Sequence, residues 1–225
     1  MNNYAIIVAG GTGVRMISET PKQFMLLGGL PVLMHCISAF HRFDTSITII
    51  VALGISEMER WTMLCKEYNF NLHHQLVPGG ERRFYSVKNA LAKVPDNGLV
   101  AIHDGVRPLV NQSTIRNCFS AAAKFGNAVP VISPSDSVRL IDNGHSRHID
   151  RTMIRFVQTP QVFGCRLIKE AYKQDYQSCF TDDASVLENI GCQINQVEGN
   201  QENIKITTPT DMLIAEALMK LNSSE

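Results

Sequence analysis

Four stretches of this chain are nearly unbroken apolar runs rich in β-branched residues: YAIIVAG (4–10), SITIIVAL (46–53), LVAIHD (99–104) and NAVPVI (127–132). Runs of this kind suit strands of a parallel sheet buried on both faces. Between and after them the apolar positions fall at helical spacing, in VLMHCISAFHRF (32–43), SEMERWTMLCKEYN (56–69), RFYSVKNALAKV (83–94) and STIRNCFSAAAKFG (113–126). Ser56-x-x-Glu59 has the form of a capping box at the start of the second. A last helix is expected from about Pro209, behind Thr208 and with Asp211 in its first turn. Strands alternating with helices predict right-handed βαβ units, hence an α/β fold with a twisted, mostly parallel sheet and helices on both faces.

The alternation breaks at about 133–158. There polar and apolar residues surround a central DNG, which predicts a β-hairpin leaving the core. With no linker or repeat elsewhere, the whole span 1–225 reads as one domain carrying a projecting β-arm.

Ligands of an open parallel sheet gather at the carboxyl ends of its strands. GGTGVR follows the first strand, PGGERR (78–83) follows NLHHQLV, and HDGVRP (103–108) ends LVAI, so the three loops are expected on one edge. The first loop fits neither common dinucleotide nor P-loop pattern. After Gly11 and Gly13 the third glycine of G-x-G-x-x-G is missing, as are an acidic residue about 20 positions on and a Gly-Lys-Ser/Thr end. Backbone N–H groups with Arg15 and Lys22 fit phosphates; a tight β-to-α turn with a solvated arginine accounts for the same residues. Asp104 ends a buried strand, where a carboxylate must meet a cation, either Mg²⁺ shared with phosphate oxygens or Arg107. Lys205 stands in a strand-like segment, ENIKITTP (202–209), as a phosphate partner or a snorkelling edge residue.

Other chemistries find little support. There is no G-x-S-x-G or H-E-x-x-H, and His73 and His74, expected in a strand, would face opposite sides. Asp182 and Asp183 in TDDAS read as a helix N-cap before ASVLENIG rather than an acid pair. The 21 Lys and Arg balance the 21 Asp and Glu, so no basic excess points to nucleic acid or an anionic membrane. Six cysteines without a C-x-x-C pair, no spanning apolar run and an opening that enters the first strand at once predict reduced thiols in a cytoplasmic protein.

AGGTGVRM, PKQF, GGERRFYSV, HDGVRP, IDR, QTPQVF, TDDAS and VEGNQENIKITTP follow one another in the order seen in the 2-C-methyl-D-erythritol 4-phosphate cytidylyltransferases, which this sequence resembles from about Tyr4 to the last helix. The resemblance implies a Rossmann-like nucleotidyltransferase fold. It also implies transfer of CMP from CTP to methylerythritol phosphate, a Mg²⁺ requirement and a homodimer with interlocking arms. By the same resemblance Arg15 and Lys22 hold the triphosphate and act in catalysis with Lys205, and Asp104 is the Mg²⁺ ligand. Ala9, Gly10, Gly80, Glu81 and Ser86 match positions that recognise cytosine. Arg107 matches a residue at the phosphate end, and Ser137, Arg151 and Thr159 match positions that bind methylerythritol phosphate, partly across the dimer. Four residues depart from the pattern: Gly10 stands where Ala is frequent in Ala-Ala-Gly, Glu81 replaces a common Asp, Ser137 a frequent Thr, and Ile17 a common Gly. Ribitol 5-phosphate cytidyl transfer is the nearest rival reading, ahead of a non-catalytic nucleotide-binding regulator and a nicotinamide-dependent oxidoreductase.

Overall fold

A computed structural model describes residues 2–11 and 20–222. Gly13, Arg15 and Ile17, all named above, lie outside the described residues.

In chain order the strands and helices are β1 (Asn3–Val8), β2 (Leu26–Leu27), β3 (Leu30–Pro31), α1 (Val32–Phe43), β4 (Thr48–Leu53), α2 (Met58–Glu67), β5 (Gln75–Pro78), α3 (Arg83–Leu91) and β6 (Leu99–Asp104). There follow α4 (Gln112–Phe125), β7 (Asn127–Ile132), β8 (Val138–Asp142), β9 (His145–Ile149), β10 (Phe156–Val157), β11 (Gln161–Gly164), α5 (Cys165–Ala171), α6 (Asp183–Glu188), β12 (Gln196–Glu198) and α7 (Pro209–Asn222). The main sheet runs β10-β7-β11-β6-β1-β4-β5, with β12 also paired to β7. β5, β4, β1 and β6 are mutually parallel, as is β12 with β7, whereas β10 and β11 pair antiparallel with their neighbours.

Alternation along β1 explains the two-sided core. Ala5 and Ile7 face a layer built with Leu33, Ile37, Phe40, Trp61 and Ile115 of α1, α2 and α4. Tyr4 and Ile6 face the other layer, with Val87 and Leu91 of α3 and Ile168 of α5. Both faces are covered, so these strands carry no polar side, which is why they read as continuous apolar runs. The chain proceeds from β1 outward to β4 and β5, then returns to lay β6 on the other side of β1. That reversal opens a crevice beyond the carboxyl ends of β1 and β6, where Val8 and Asp104 are in register.

Three local expectations change. Ser56 and Glu59 form no capping box: a 3₁₀ turn over Ile55–Glu57 precedes α2, and neither the turn nor the helix has a side-chain cap. The Glu57 N–H instead bonds Gly54 O at 2.9 Å, so the backbone turn itself takes up this donor. The segment around Lys205 has no regular secondary structure and lies outside the sheet, tied by Ile206 N–H to Val106 O at 2.9 Å. His73 and His74 precede β5 rather than lying in a strand. His74 Nε2 accepts from Trp61 Nε1 at 2.9 Å and its Nδ1–H donates to Leu72 O at 2.7 Å, so its ring seals the α2 layer.

The arm matches its expected form. β8 and β9 pair antiparallel around Asn143 and Gly144, whose φ values of 47° and 80° are those the tight DNG turn requires. Most of its residues are exposed, and Ile141, Met153 and Phe156 leave large apolar side chains uncovered on this chain.

Candidate active site

The crevice holds a cavity of about 310 Å³ lined by the ends of β1 and β6, the loop after β5, and two segments brought in from elsewhere. Ala9, Gly10, Gly11, Lys22, Gly80, Glu81, Ser86, Asp104 and Lys205 all line it, nine of the residues singled out in the sequence. Two of its glycines, Gly80 and Gly10, are there for space. A Cβ on Gly80 would stand 2.3 Å from Tyr85 Cβ, and one on Gly10 would meet Ser86 Oγ at 3.3 Å. The buried Ser86 hydroxyl organises the loop: it accepts from Gly80 N–H at 3.0 Å and donates to Arg82 O at 3.2 Å.

Lys22 is delivered by a 3₁₀ turn, Lys22–Phe24, and is buried despite its charge. Gln23 fastens this turn to the end of β1, donating from Nε2 to Ala9 O at 3.0 Å. Ala9 also gives its N–H to Ala52 O at 2.8 Å, so both of its backbone polar groups are engaged within the protein.

Asp104 is the electrostatic centre. It is 7% exposed and is approached by Arg83 Nε at 3.2 Å, Lys205 Nζ at 2.9 Å and Arg107 Nε at 3.6 Å. Burial by itself would raise the pKa of the carboxyl, but Arg83, Lys205 and Arg107 outweigh it and hold Asp104 far below the usual carboxylate range. The Asp104 N–H donates to Thr159 Oγ1 at 3.0 Å, and the Thr159 hydroxyl donates onward to His103 Nδ1 at 3.0 Å. His103 Nε2–H completes the chain to Arg107 O at 3.0 Å. Burial pushes the fully enclosed His103 down to about 4, keeping it neutral as this chain of donors demands.

A second cavity of about 260 Å³ lies against the first and shares Arg83, Asp104 and Lys205 with it. Arg107 and Thr159 line this side, together with Thr181 and Asp182. Arg107 donates from Nη1 to Asn203 O at 2.7 Å, while its buried Nε has no hydrogen-bond partner among the described residues. One centre of positive charge therefore stands between two adjoining chambers. That arrangement suits a reaction in which two phosphate-bearing molecules must meet.

The family model for 2-C-methyl-D-erythritol 4-phosphate cytidylyltransferase matches residues 3–221. The chain belongs to this family. It is similar to the 2-C-methyl-D-erythritol 4-phosphate cytidylyltransferase of Phocaeicola vulgatus, 50% identical over 219 residues that make up 97% of this chain and 100% of the relative. The enzyme of the same name from Bacillus cereus is 37% identical over 219 residues, 96% of this chain and 97% of the relative. Among solved structures, the 4-diphosphocytidyl-2C-methyl-D-erythritol synthase of Anaerococcus prevotii aligns with a TM-score of 0.83 at 25% identity, covering 97% of this chain and 98% of its own. The Thermus thermophilus cytidylyltransferase aligns with a TM-score of 0.79 at 30% identity, covering 98% and 100%. The chain is thus an enzyme of the nucleotidyltransferase class with that fold.

Within this family frame, two expected positions stand apart. Ser137 and Arg151 are exposed on the arm and its return, outside both cavities, and Arg151 Nη1 donates to Ser135 O at 2.7 Å. Other residues emerge that the sequence reading did not assign. Arg83, the second arginine of GGERR, lines both cavities. Asp182 caps α6 as expected, accepting from Ser185 N–H at 2.9 Å, but its neighbour Asp183 is fully buried against Arg83. Adjacent aspartates in a cap look alike in sequence, and only the packing of α6 toward the sheet separates them.

Proposed function

We propose that this chain transfers CMP from CTP to 2-C-methyl-D-erythritol 4-phosphate, releasing pyrophosphate and 4-diphosphocytidyl-2-C-methyl-D-erythritol. The observation that carries this reading is Asp104 ringed by Arg83, Arg107 and Lys205 between two adjoining cavities, in a member of this family.

CTP occupies the glycine-lined cavity, its base against Ala9, Gly10, Gly80, Glu81 and Ser86 and its phosphates toward Lys22 and the loop after β1. The acceptor phosphate enters from the side of Arg107 and Thr159. With a second pKa of about 6, that phosphate is largely dianionic at neutral pH and attacks without a general base. Its oxygen forms a bond to the α-phosphorus as the bond to the pyrophosphate oxygen breaks, and the electron pair leaves with pyrophosphate. Lys22, Lys205 and Arg107 lower the repulsion between the two anions and hold them in line. Arg15, outside the described residues, is given the same task by the family resemblance alone.

A divalent cation, Mg²⁺ in this reading, fits the site. Among the described residues no three His, Cys, Asp or Glu side chains gather to enclose a metal. An ion held by Asp104 would then draw most of its oxygens from phosphates, as magnesium in nucleotide sites does. When bound, it supplies charge neutralisation on the triphosphate.

The arm residues Ser137 and Arg151 complete the acceptor site of a second copy, making the enzyme a homodimer whose uncovered Ile141, Met153 and Phe156 are buried on pairing. No helix among the described residues is long and apolar enough to cross a membrane, and we place the enzyme in the cytoplasm. The deciding experiment measures pyrophosphate release from CTP and Mg²⁺ with methylerythritol 4-phosphate and ribitol 5-phosphate in parallel. Release with the first alone is expected; preference for the second, or silence with both, overturns the assignment.

A further inference from the structure

Behind Asp104 lies a second carboxylate to which the proposed reaction gives no part. Asp183 is fully buried at the start of α6. Arg83 lays the end of its guanidinium fork on it, Nη1 to Oδ1 at 2.9 Å and Nη2 to Oδ2 at 2.7 Å. The Tyr172 hydroxyl donates to Oδ1 at 2.6 Å and fixes the carboxylate from the other side. Only the remaining nitrogen, Nε, reaches Asp104, at 3.2 Å.

The guanidinium is planar and rigid, so whatever holds its fork decides what its other edge can do. Without the Asp183 charge, Asp104 is the one carboxylate left in an ion pair with Arg83 among the described residues. Two parallel bonds to that carboxylate are stronger than the single Nε contact now made. The fork would turn onto Asp104 and add a second bond to a carboxylate that Lys205 and Arg107 already face. Three cations, Arg83, Arg107 and Lys205, would then face one carboxylate instead of two. A metal cation would be repelled from Asp104, while an anion would lose nothing.

We propose that Asp183 is a positioning residue: by holding Arg83 at its fork end, it limits Arg83 to one contact on Asp104 and lowers the positive charge that the metal accompanying CTP meets at that carboxylate. This rests on reading Asp104 as the metal-side centre of the reaction.

The test compares wild type, Asp183→Asn and Tyr172→Phe by calorimetry, with Mn²⁺·CTP and with metal-free CTP as probes. The informative quantity is the ratio of the two affinities within each protein, because loss of folded protein lowers both together and leaves the ratio unchanged. For Asp183→Asn the preference for Mn²⁺·CTP is expected to fall about tenfold, the scale of one screened charge contact. Tyr172→Phe keeps the charge and loses one of its holds, so a fall of about threefold is expected, and it decides the matter if Asp183→Asn does not fold. A ratio within twofold of wild type in the folded variants, or a wild type with no metal preference, overturns the proposal. Pyrophosphate release by wild type is measured on the same samples. Its failure with methylerythritol 4-phosphate would overturn the acceptor assignment while the binding ratios still judge Asp183.

Discussion

Replacing Thr159 by Val removes one oxygen from the centre of the site and keeps the side-chain shape. That oxygen accepts from Asp104 N–H and donates to His103 Nδ1, both at 3.0 Å, and both partners are buried. A valine methyl satisfies neither. Each orphaned group costs about 1–3 kcal/mol, and with some relaxation the pair amounts to about 2–4 kcal/mol, a large part of the ~5–15 kcal/mol that holds a domain folded. For a chain of this size that corresponds to a fall in Tm of about 5–15 °C. Thr159→Ser retains the hydroxyl and gives up one methyl group, about 0.8 kcal/mol. Thermal melts of wild type, Thr159→Ser and Thr159→Val, followed by circular dichroism, check the prediction. kcat should fall in Thr159→Val as well, because the Asp104 backbone loses its tether. A valine variant melting within about 2 °C of wild type, or a serine variant as damaged as the valine one, would refute the reasoning.

Further consequences concern charge, base recognition and the phosphate cradle. His103 stays neutral in the folded protein down to about 4, whereas its ordinary value is 6.5. Between those values only the unfolded chain takes up the proton, so stability falls as pH is lowered through that window. The loss amounts to about 3 kcal/mol; chemical denaturation from pH 7 to pH 4 should show it, and a His103→Asn variant should have a flatter profile. Gly80→Ala places a Cβ 2.3 Å from Tyr85 Cβ and 3.0 Å from the Tyr85 carbonyl carbon, so the backbone itself must move. CTP affinity, read by calorimetry, is expected to drop at least about tenfold, a cost of 1.4 kcal/mol against the ~1–3 typical of overpacking. Lys22→Ala should lower kcat/KM by about two orders of magnitude, the cost of one lost transition-state donor; a folded variant with a near-normal rate removes Lys22 from the reaction.

Local physics was enough to find the frame. An unbroken β-branched run has few solutions other than a strand covered on both faces, and the runs at 99–104 and 127–132 became β6 and β7 with those bounds. The amphipathic run at 32–43 likewise became α1, and DNG became the turn of the arm. Strand order at the carboxyl edge then brought Gly10, Gly80 and Asp104 around one cavity, because βαβ connections leave little freedom in which end of a parallel strand bears the loops. Ser56 and Glu59 show where local rules fail: two hydrogen bonds of a capping box compete with a backbone turn of similar worth, and the sequence does not decide between them.

The charge network was decided elsewhere. Lys205 stands about a hundred residues beyond Asp104 in a segment that pairs with no strand, yet its ammonium lies 2.9 Å from that carboxylate. Arg83 and Asp183 are likewise 100 residues apart and meet only because α3 and α6 bury residues in the same core layer. Hydrophobic period, turns and caps are written in neighbouring residues because the interactions behind them span a few positions. An ion pair carries no such period. The partner of a buried charge is whichever opposite charge the folded chain brings within reach, and only the tertiary structure shows which of Asp182 and Asp183 caps a helix and which holds the arginine.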